Sequence, residues 1–91
     1  MNLSQFEQKY VGKDLVNNKG GKLRLSTSGQ MYLTKPGFKD PSGAGDYTLD
    51  FVNGDTIYLI TDTVTFLVQT FVNGFDLISG ETIVHRFTLP D

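Results

Sequence analysis

From Leu15 onward, apolar and polar residues alternate, and turn residues interrupt the chain at short intervals. The interruptions are Ser28-Gly29, Asn53-Gly54, Thr61-Asp62, Asn73-Gly74 and Ser79-Gly80. They separate seven predicted strands, at 22–26, 30–35, 47–52, 56–60, 64–72, 75–79 and 82–89, with a short additional strand near 14–16. No gap between the later strands could hold a crossover helix, so those strands must pair antiparallel. We therefore predict an all-β, mainly antiparallel fold, a small barrel or two-layer sandwich of about seven strands.

The first dozen residues follow a different period and predict one short amino-terminal α-helix. Its apolar residues recur at helical spacing, at Leu3, Phe6 and Tyr10. Two capping boxes compete for its start: Ser4 with Glu7, or Asn2 with Gln5, the second setting Met1 against Phe6. Gly12 is suited to end the helix because glycine enters the left-handed conformation without a steric penalty.

The length of 91 residues predicts a single domain, since two domains would each lack an adequate core. Residues 1–12 form its helix, and residues 13–91 form antiparallel hairpins with a Pro/Gly-rich loop at 35–46. That loop contains two prolines and three glycines, which argue against a paired strand through it. Loops of this length are usually functional or disordered.

The repeated Phe-Val-Asn-Gly sequence at 51–54 and 71–74 indicates the same turn chemistry used twice. In the first hairpin, a three-residue loop over 52–54 with Gly54 left-handed pairs Leu49 with Ile57 and gathers the apolar residues on one face. The strand at 64–72 is apolar on both faces, so it is either covered twice or part of a subunit interface. The residues predicted for an interface in a homo-oligomer are Phe66, Val68, Phe71 and Val72.

Charge is distributed unevenly along the chain. Residues 1–39 carry seven basic and two acidic side chains, whereas residues 40–91 carry one basic and eight acidic. We expect basic and acidic strands to lie side by side and neutralise each other; the alternative is a basic binding face. Residues predicted to contact a ligand are Tyr10, Arg24, Tyr32, Lys35, Phe38 and Lys39. The acidic pI of about 5.1 argues against nucleic acid as the partner.

No catalytic, metal-binding or cofactor-binding constellation is predicted. The chain has one histidine, His85, and no cysteine, which argues against a zinc site. His85 alternates with apolar residues on one strand, so we interpret it as a residue at the edge of the core. The absence of cysteine, of a signal peptide and of a membrane-spanning segment predicts a cytoplasmic location without membrane contact.

These observations favour a non-enzymatic module that binds a protein partner, such as the small accessory and inhibitor proteins that phages also encode. The alternative is a β-barrel that binds a small molecule, nucleotide or nucleic acid through its basic amino-terminal half. A third hypothesis is a hydrolase-type enzyme using His85.

Overall fold

The computed structural model describes residues 2–90, and it confirms an antiparallel β fold with one short helix. The helix is α1 (Leu3–Tyr10). The strands are β1 (Asp14–Asn17), β2 (Lys22–Leu25), β3 (Gln30–Thr34), β4 (Gly43–Asp46), β5 (Thr48–Val52), β6 (Thr56–Ile60), β7 (Thr65–Phe71), β8 (Gly74–Ser79) and β9 (Thr82–Thr88). Their number is therefore nine rather than about seven.

The nine strands form one sheet in the order β4-β3-β2-β1-β9-β8-β7-β6-β5, and every neighbouring pair is antiparallel. The two edge strands, β4 and β5, are separated along the chain by Tyr47 alone. One stretch of chain therefore pairs with β3 through its first half and with β6 through its second half. The sheet curls into a nearly closed barrel, so the barrel is confirmed over the sandwich.

The predicted loop at 35–46 is shorter in the structure, because 43–46 form strand β4. Gly43 pairs with Leu33, and Gly45 pairs with Met31. Strand pairing requires backbone groups only, so two glycines opposite large apolar residues can pair without contributing to an alternating pattern. Both prolines precede β4 and leave its ladder intact.

The predicted pairing of the first hairpin is wrong by two residues, because its loop lies one residue further along the chain than predicted. The loop has three residues, but they are 53–55, so Val52 pairs with Thr56 and Leu49 with Leu59. The turn starts later because Asn53 is left-handed as well as Gly54, with φ of 58° and 79°. The predicted division of side chains between the inner and outer faces is still correct, because each strand keeps the same alternation. Leu49 is half-buried against the core, and Ile57 and Leu59 belong to the core.

Helix α1 begins with the Asn2 capping box, which settles the choice between the two predicted starts. The Gln5 backbone N–H donates to Asn2 Oδ1 at 2.8 Å, and the Asn2 backbone N–H donates to Gln5 Oε1 at 2.9 Å. The predicted contact of Met1 with Phe6 lies outside the described residues. After the helix, Gly12 adopts a φ of 84° and its N–H donates to the Leu25 carbonyl at 2.7 Å.

The helix covers one end of the barrel, which we call the closed end. Phe6 and Tyr10 are fully buried there and pack with Phe75, each pair of rings having centroids 5.1 Å apart. The Tyr10 hydroxyl donates to the Gly74 carbonyl at 3.1 Å. The opposite end, which we call the open end, carries the turns at 18–21, 61–64 and 80–81 and the loop at 35–42. Within residues 2–90, no helix has the length and apolar character needed to cross a membrane.

Candidate functional site

The open end contains a cavity of about 360 Å³, which we call the mouth cavity. It lies between the β1–β2 turn, the carboxyl end of β3 with the following loop, and the middle of β9. Its apolar wall is formed by Leu33, Pro36 and Phe87. No helix covers this end, so core side chains that would be enclosed at the closed end are accessible here; Leu33, for example, is 42% exposed.

Three lysines line the mouth cavity, and no carboxylate side chain does. Lys19 lies in the β1–β2 turn, Lys22 opens β2, and Lys35 follows β3. The two ion pairs found within residues 2–90, Arg24–Asp14 at 2.8 Å and Arg86–Asp76 at 2.7 Å, include none of these lysines. Their ammonium groups therefore present uncompensated positive charge around an apolar opening.

His85 lies inside the same cavity, half-buried at the edge of the core. Its ring centroid is 6.2 Å from that of Phe66 and 5.9 Å from that of Phe87. Burial lowers the pKa of His85, and the nearby charge of Lys19 lowers it further. The imidazole is therefore neutral at pH 7, with one nitrogen able to donate and the other to accept a hydrogen bond. Among residues 2–90, no carboxylate hydrogen-bonds to His85 to orient it as a catalytic base would require.

A second space of about 190 Å³, the inner cavity, lies inside the barrel beside the turn at 61–64. It shares Leu33, His85 and Phe87 with the mouth cavity. Its other walls include Phe66 and Leu77, so it is also predominantly apolar. Because the two spaces have these three side chains in common, they adjoin, and we treat them as one site.

A lateral gap of about 270 Å³ separates β4 from the turn at 61–64. Leu33 and Gly43 line both this gap and the mouth cavity. Asp46 and Asp62 line the gap, whereas lysine and arginine are absent from its walls. The site therefore has a basic side at the mouth and an acidic side at the gap.

The six residues predicted to bind a ligand are dispersed in the structure. Lys35 lines the mouth cavity. Arg24, Tyr32 and Lys39 surround a depression on the outer surface, where Arg24 pairs with Asp14. This depression shares Lys22 and Thr34 with the mouth cavity. Phe38 is 60% exposed in the loop. Tyr10, also predicted to contact a ligand, is fully buried at the closed end, because α1 packs its ring against Phe75.

Two of the four predicted interface residues face the core, and the other two are exposed. Val68 is only 8% exposed and belongs to the core, and Phe66 packs against that core, so neither presents a surface to a partner. The reason is the barrel, which turns one face of β7 inward. Phe71 and Val72 are 37% and 80% exposed at the β7–β8 turn and remain accessible.

The expectation that strands of the basic and acidic halves lie side by side holds at two places, where β1 pairs with β9 and β3 pairs with β4. The expected neutralisation does not appear in the ion pairs within residues 2–90. Arg24 pairs with Asp14 of the same half, and Arg86 pairs with Asp76 of the other. No ion pair joins the two halves within residues 2–90.

Sequence reasoning missed Lys19, Lys22, Leu33 and Phe87 as site residues. Lys19 and Lys22 flank a glycine turn, a position that usually indicates solvent exposure only. Leu33 and Phe87 follow the alternation of core residues. These four residues form a site because no helix covers the open end, and no local sequence pattern predicts which end of the barrel is left uncovered.

Within the described residues, no group of three or more histidine or acidic side chains is placed to hold a metal ion. In comparisons with protein-family models, curated proteins and solved structures, the chain matches none.

Proposed function

We propose that this protein is a non-enzymatic binding protein that takes up a small apolar ligand at the open end of its barrel. The observation that carries the proposal is the mouth cavity of about 360 Å³ and its continuation past His85 into the inner cavity. Ligand sites are typically concave, mostly apolar spaces of roughly 300–1,000 Å³ with a few polar groups, and barrel mouths are common positions for them. The single histidine and the lysines supply those polar groups.

A neutral fluorescent probe tests this proposal directly. N-phenyl-1-naphthylamine should bind the wild-type protein saturably with a stoichiometry of one. Gly43→Leu should abolish that binding, because Gly43 lines the mouth cavity and a Cβ at this position meets no atom within 4 Å. The added side chain therefore fills the cavity without straining the strand.

Thr48→Leu is the matched control, since it adds a similar apolar side chain at an exposed strand position away from the cavity. It should leave probe binding unchanged. Equal probe binding by Gly43→Leu and wild type, with both proteins folded, would rule out the open end as the binding site.

Self-association is a second candidate function, and a row of apolar side chains on the outer face of the barrel favours it. Cross-strand pairing places Tyr58 beside Leu67, Leu67 beside Ile78, and Ile78 beside Ile83. Ile83 is 52% exposed. An uncharged row of this kind can pack against the same row of a second copy about a twofold axis.

Sedimentation equilibrium tests this second candidate. We expect a mass of two chains for the wild type and of one chain for Ile83→Lys, which places charge in the row. A Phe71→Asp variant tests the interface predicted from the sequence in the same experiment. A wild-type protein that is monomeric at high concentration would exclude the dimer.

A further inference from the structure

We propose that the ligand is an amphipathic anion, with its acidic group among Lys19, Lys22 and Lys35 and its apolar body directed past Leu33 and His85 into the inner cavity. This inference rests on the proposed function and adds the chemical class and orientation of the ligand. The acidic group is a carboxylate or a phosphate, which ammonium groups bind through the same charge-assisted hydrogen bonds.

The position of the positive charge is the first argument. The three lysines come from two segments of chain, the β1–β2 hairpin with Lys19 and Lys22 and the residue after β3, Lys35, and none of the side chains that line the cavity is acidic. Since none of the three takes part in an ion pair within residues 2–90, an incoming anion does not have to displace an internal partner. Lys19 lines the mouth cavity together with His85 and is close enough to influence its ionisation, which places the lysine charge beside a residue that the two cavities share.

The apolar walls are the second argument, because they restrict the rest of the ligand. Beyond the lysines, the site is enclosed by Leu33, Phe87, Phe66 and Leu77, with His85 as the one titratable side chain. A base or sugar would find few uncharged polar partners there, namely Asn17, Thr34, Ser42, Thr61 and Thr63. Each of its buried polar groups left without a partner would cost about 1–3 kcal/mol. An alkyl or simple aromatic body avoids this cost, so a nucleotide is disfavoured.

The acidic side chains fix the orientation of the ligand. Asp46 and Asp62 line the lateral gap, on the other side of Leu33 from the lysines. An anionic group placed at the gap would face like charges, whereas at the mouth it faces opposite ones. The acidic group therefore stays at the mouth and the apolar body occupies the interior.

Ten-carbon ligands that differ only in their head group test the inference by calorimetric titration of the full chain. We expect decanoate to bind about tenfold more tightly than decanol, as charge-assisted hydrogen bonds are roughly twice as strong as neutral ones. Decylamine should bind more weakly than decanol. The preference for decanoate should fall as salt is raised from 20 mM to roughly 500 mM, because partly exposed charges are screened. Decyl phosphate and decanoate, compared directly, identify which acidic group is preferred.

A double variant, Lys19→Gln with Lys35→Gln, should reduce decanoate affinity about tenfold and leave decanol affinity unchanged. The matched control is Lys9→Gln with Lys13→Gln, which removes the same charge near the closed end and should preserve the preference for decanoate.

The outcomes separate the two proposals. Equal binding of decanoate, decanol and decylamine would overturn the anionic ligand and leave the apolar site standing. Tighter binding of decylamine, or of adenosine monophosphate, would also overturn it. Failure of every ten-carbon ligand and of the neutral probe would overturn the proposed function itself.

Discussion

Individual side chains at the open end set the chemistry of the site, and His85 is the one whose ionisation can be followed without ambiguity. It is the chain's only histidine, so its imidazole resonances need no assignment among others. Burial and then Lys19 lower its pKa. Lys19→Gln should therefore raise the pKa of His85 in an NMR titration, whereas Lys13→Gln near the closed end should not. An unchanged pKa in Lys19→Gln would show that the two groups are farther apart than the structure places them.

The same shift makes stability depend on pH. Unfolded His85 has its ordinary pKa of about 6.5 and takes up a proton before the folded protein does. The free energy of unfolding should thus be at its full value above pH 6.5 and fall as pH decreases from 6.5 through the lowered pKa. Urea denaturation at several pH values measures this loss. His85→Gln should remove the loss of stability between pH 6.5 and the lowered pKa.

Two glycines on the strands differ sharply in the space around them. A Cβ on Gly74 would lie 2.1 Å from the Phe87 carbonyl oxygen, which belongs to the paired strand and cannot move aside. Gly74→Ala should therefore lower the free energy of unfolding by about 3 kcal/mol, at the upper end of typical overpacking costs. Gly43→Ala, with no atom within 4 Å of the new Cβ, is the control and should be nearly neutral. Urea denaturation compares the two variants.

At the level of elements, the start of α1 offers a matched pair of substitutions. Asn2 caps the helix, whereas Ser4, the competing start in the sequence, lies within its first turn. Asn2→Ala should cost about 1 kcal/mol of stability because the Gln5 N–H loses its acceptor. Ser4→Ala should cost little, since alanine is the better helix former. A larger loss in Ser4→Ala than in Asn2→Ala would contradict the observed capping box.

The helix and most strands could be predicted from the sequence because each leaves a periodic pattern of its own. Strand β6 occurs at the predicted residues, and Leu49 and Ile57 share the inner face as the alternation required. Strand β4 could not be predicted, since Gly43 and Gly45 contribute no apolar side chain to a pattern. The pairing of the first hairpin was predicted wrongly because the sequence does not show that Asn53 is left-handed as well as Gly54.

For the whole molecule, the candidate site could not be predicted because it depends on contacts between distant segments. Lys19 and His85 are far apart in sequence and meet only when β1 pairs with β9. The open end is a site because α1 covers the opposite end, and the sequence does not state which end a helix covers. The charge asymmetry was visible in the sequence, but only the structure shows that each of the two ion pairs within residues 2–90 joins residues of the same half.

Tyr47 joins the two edge strands of the barrel. It follows β4, which pairs with β3, and precedes β5, which pairs with β6. Its backbone N–H donates to the Gly29 carbonyl at 3.0 Å, and its hydroxyl donates to the Ser26 carbonyl at 2.6 Å. Tyr47→Phe removes only the second bond and should lower the free energy of unfolding by about 1 kcal/mol. This bond holds the residue that connects β4 to β5. In Tyr47→Phe, the backbone amides of β4 and β5 should therefore also exchange faster with solvent, while those of β8 should not.

Tyr32→Phe is the control for this prediction, since the Tyr32 hydroxyl donates to the exposed side chain of Gln30 at 2.7 Å. It should change neither stability nor exchange, because water can replace that bond at little cost. If Tyr47→Phe accelerated exchange equally in all strands, the loss would be one of global stability. Selective acceleration in β4 and β5 would instead identify the junction at Tyr47 as the point where the barrel opens.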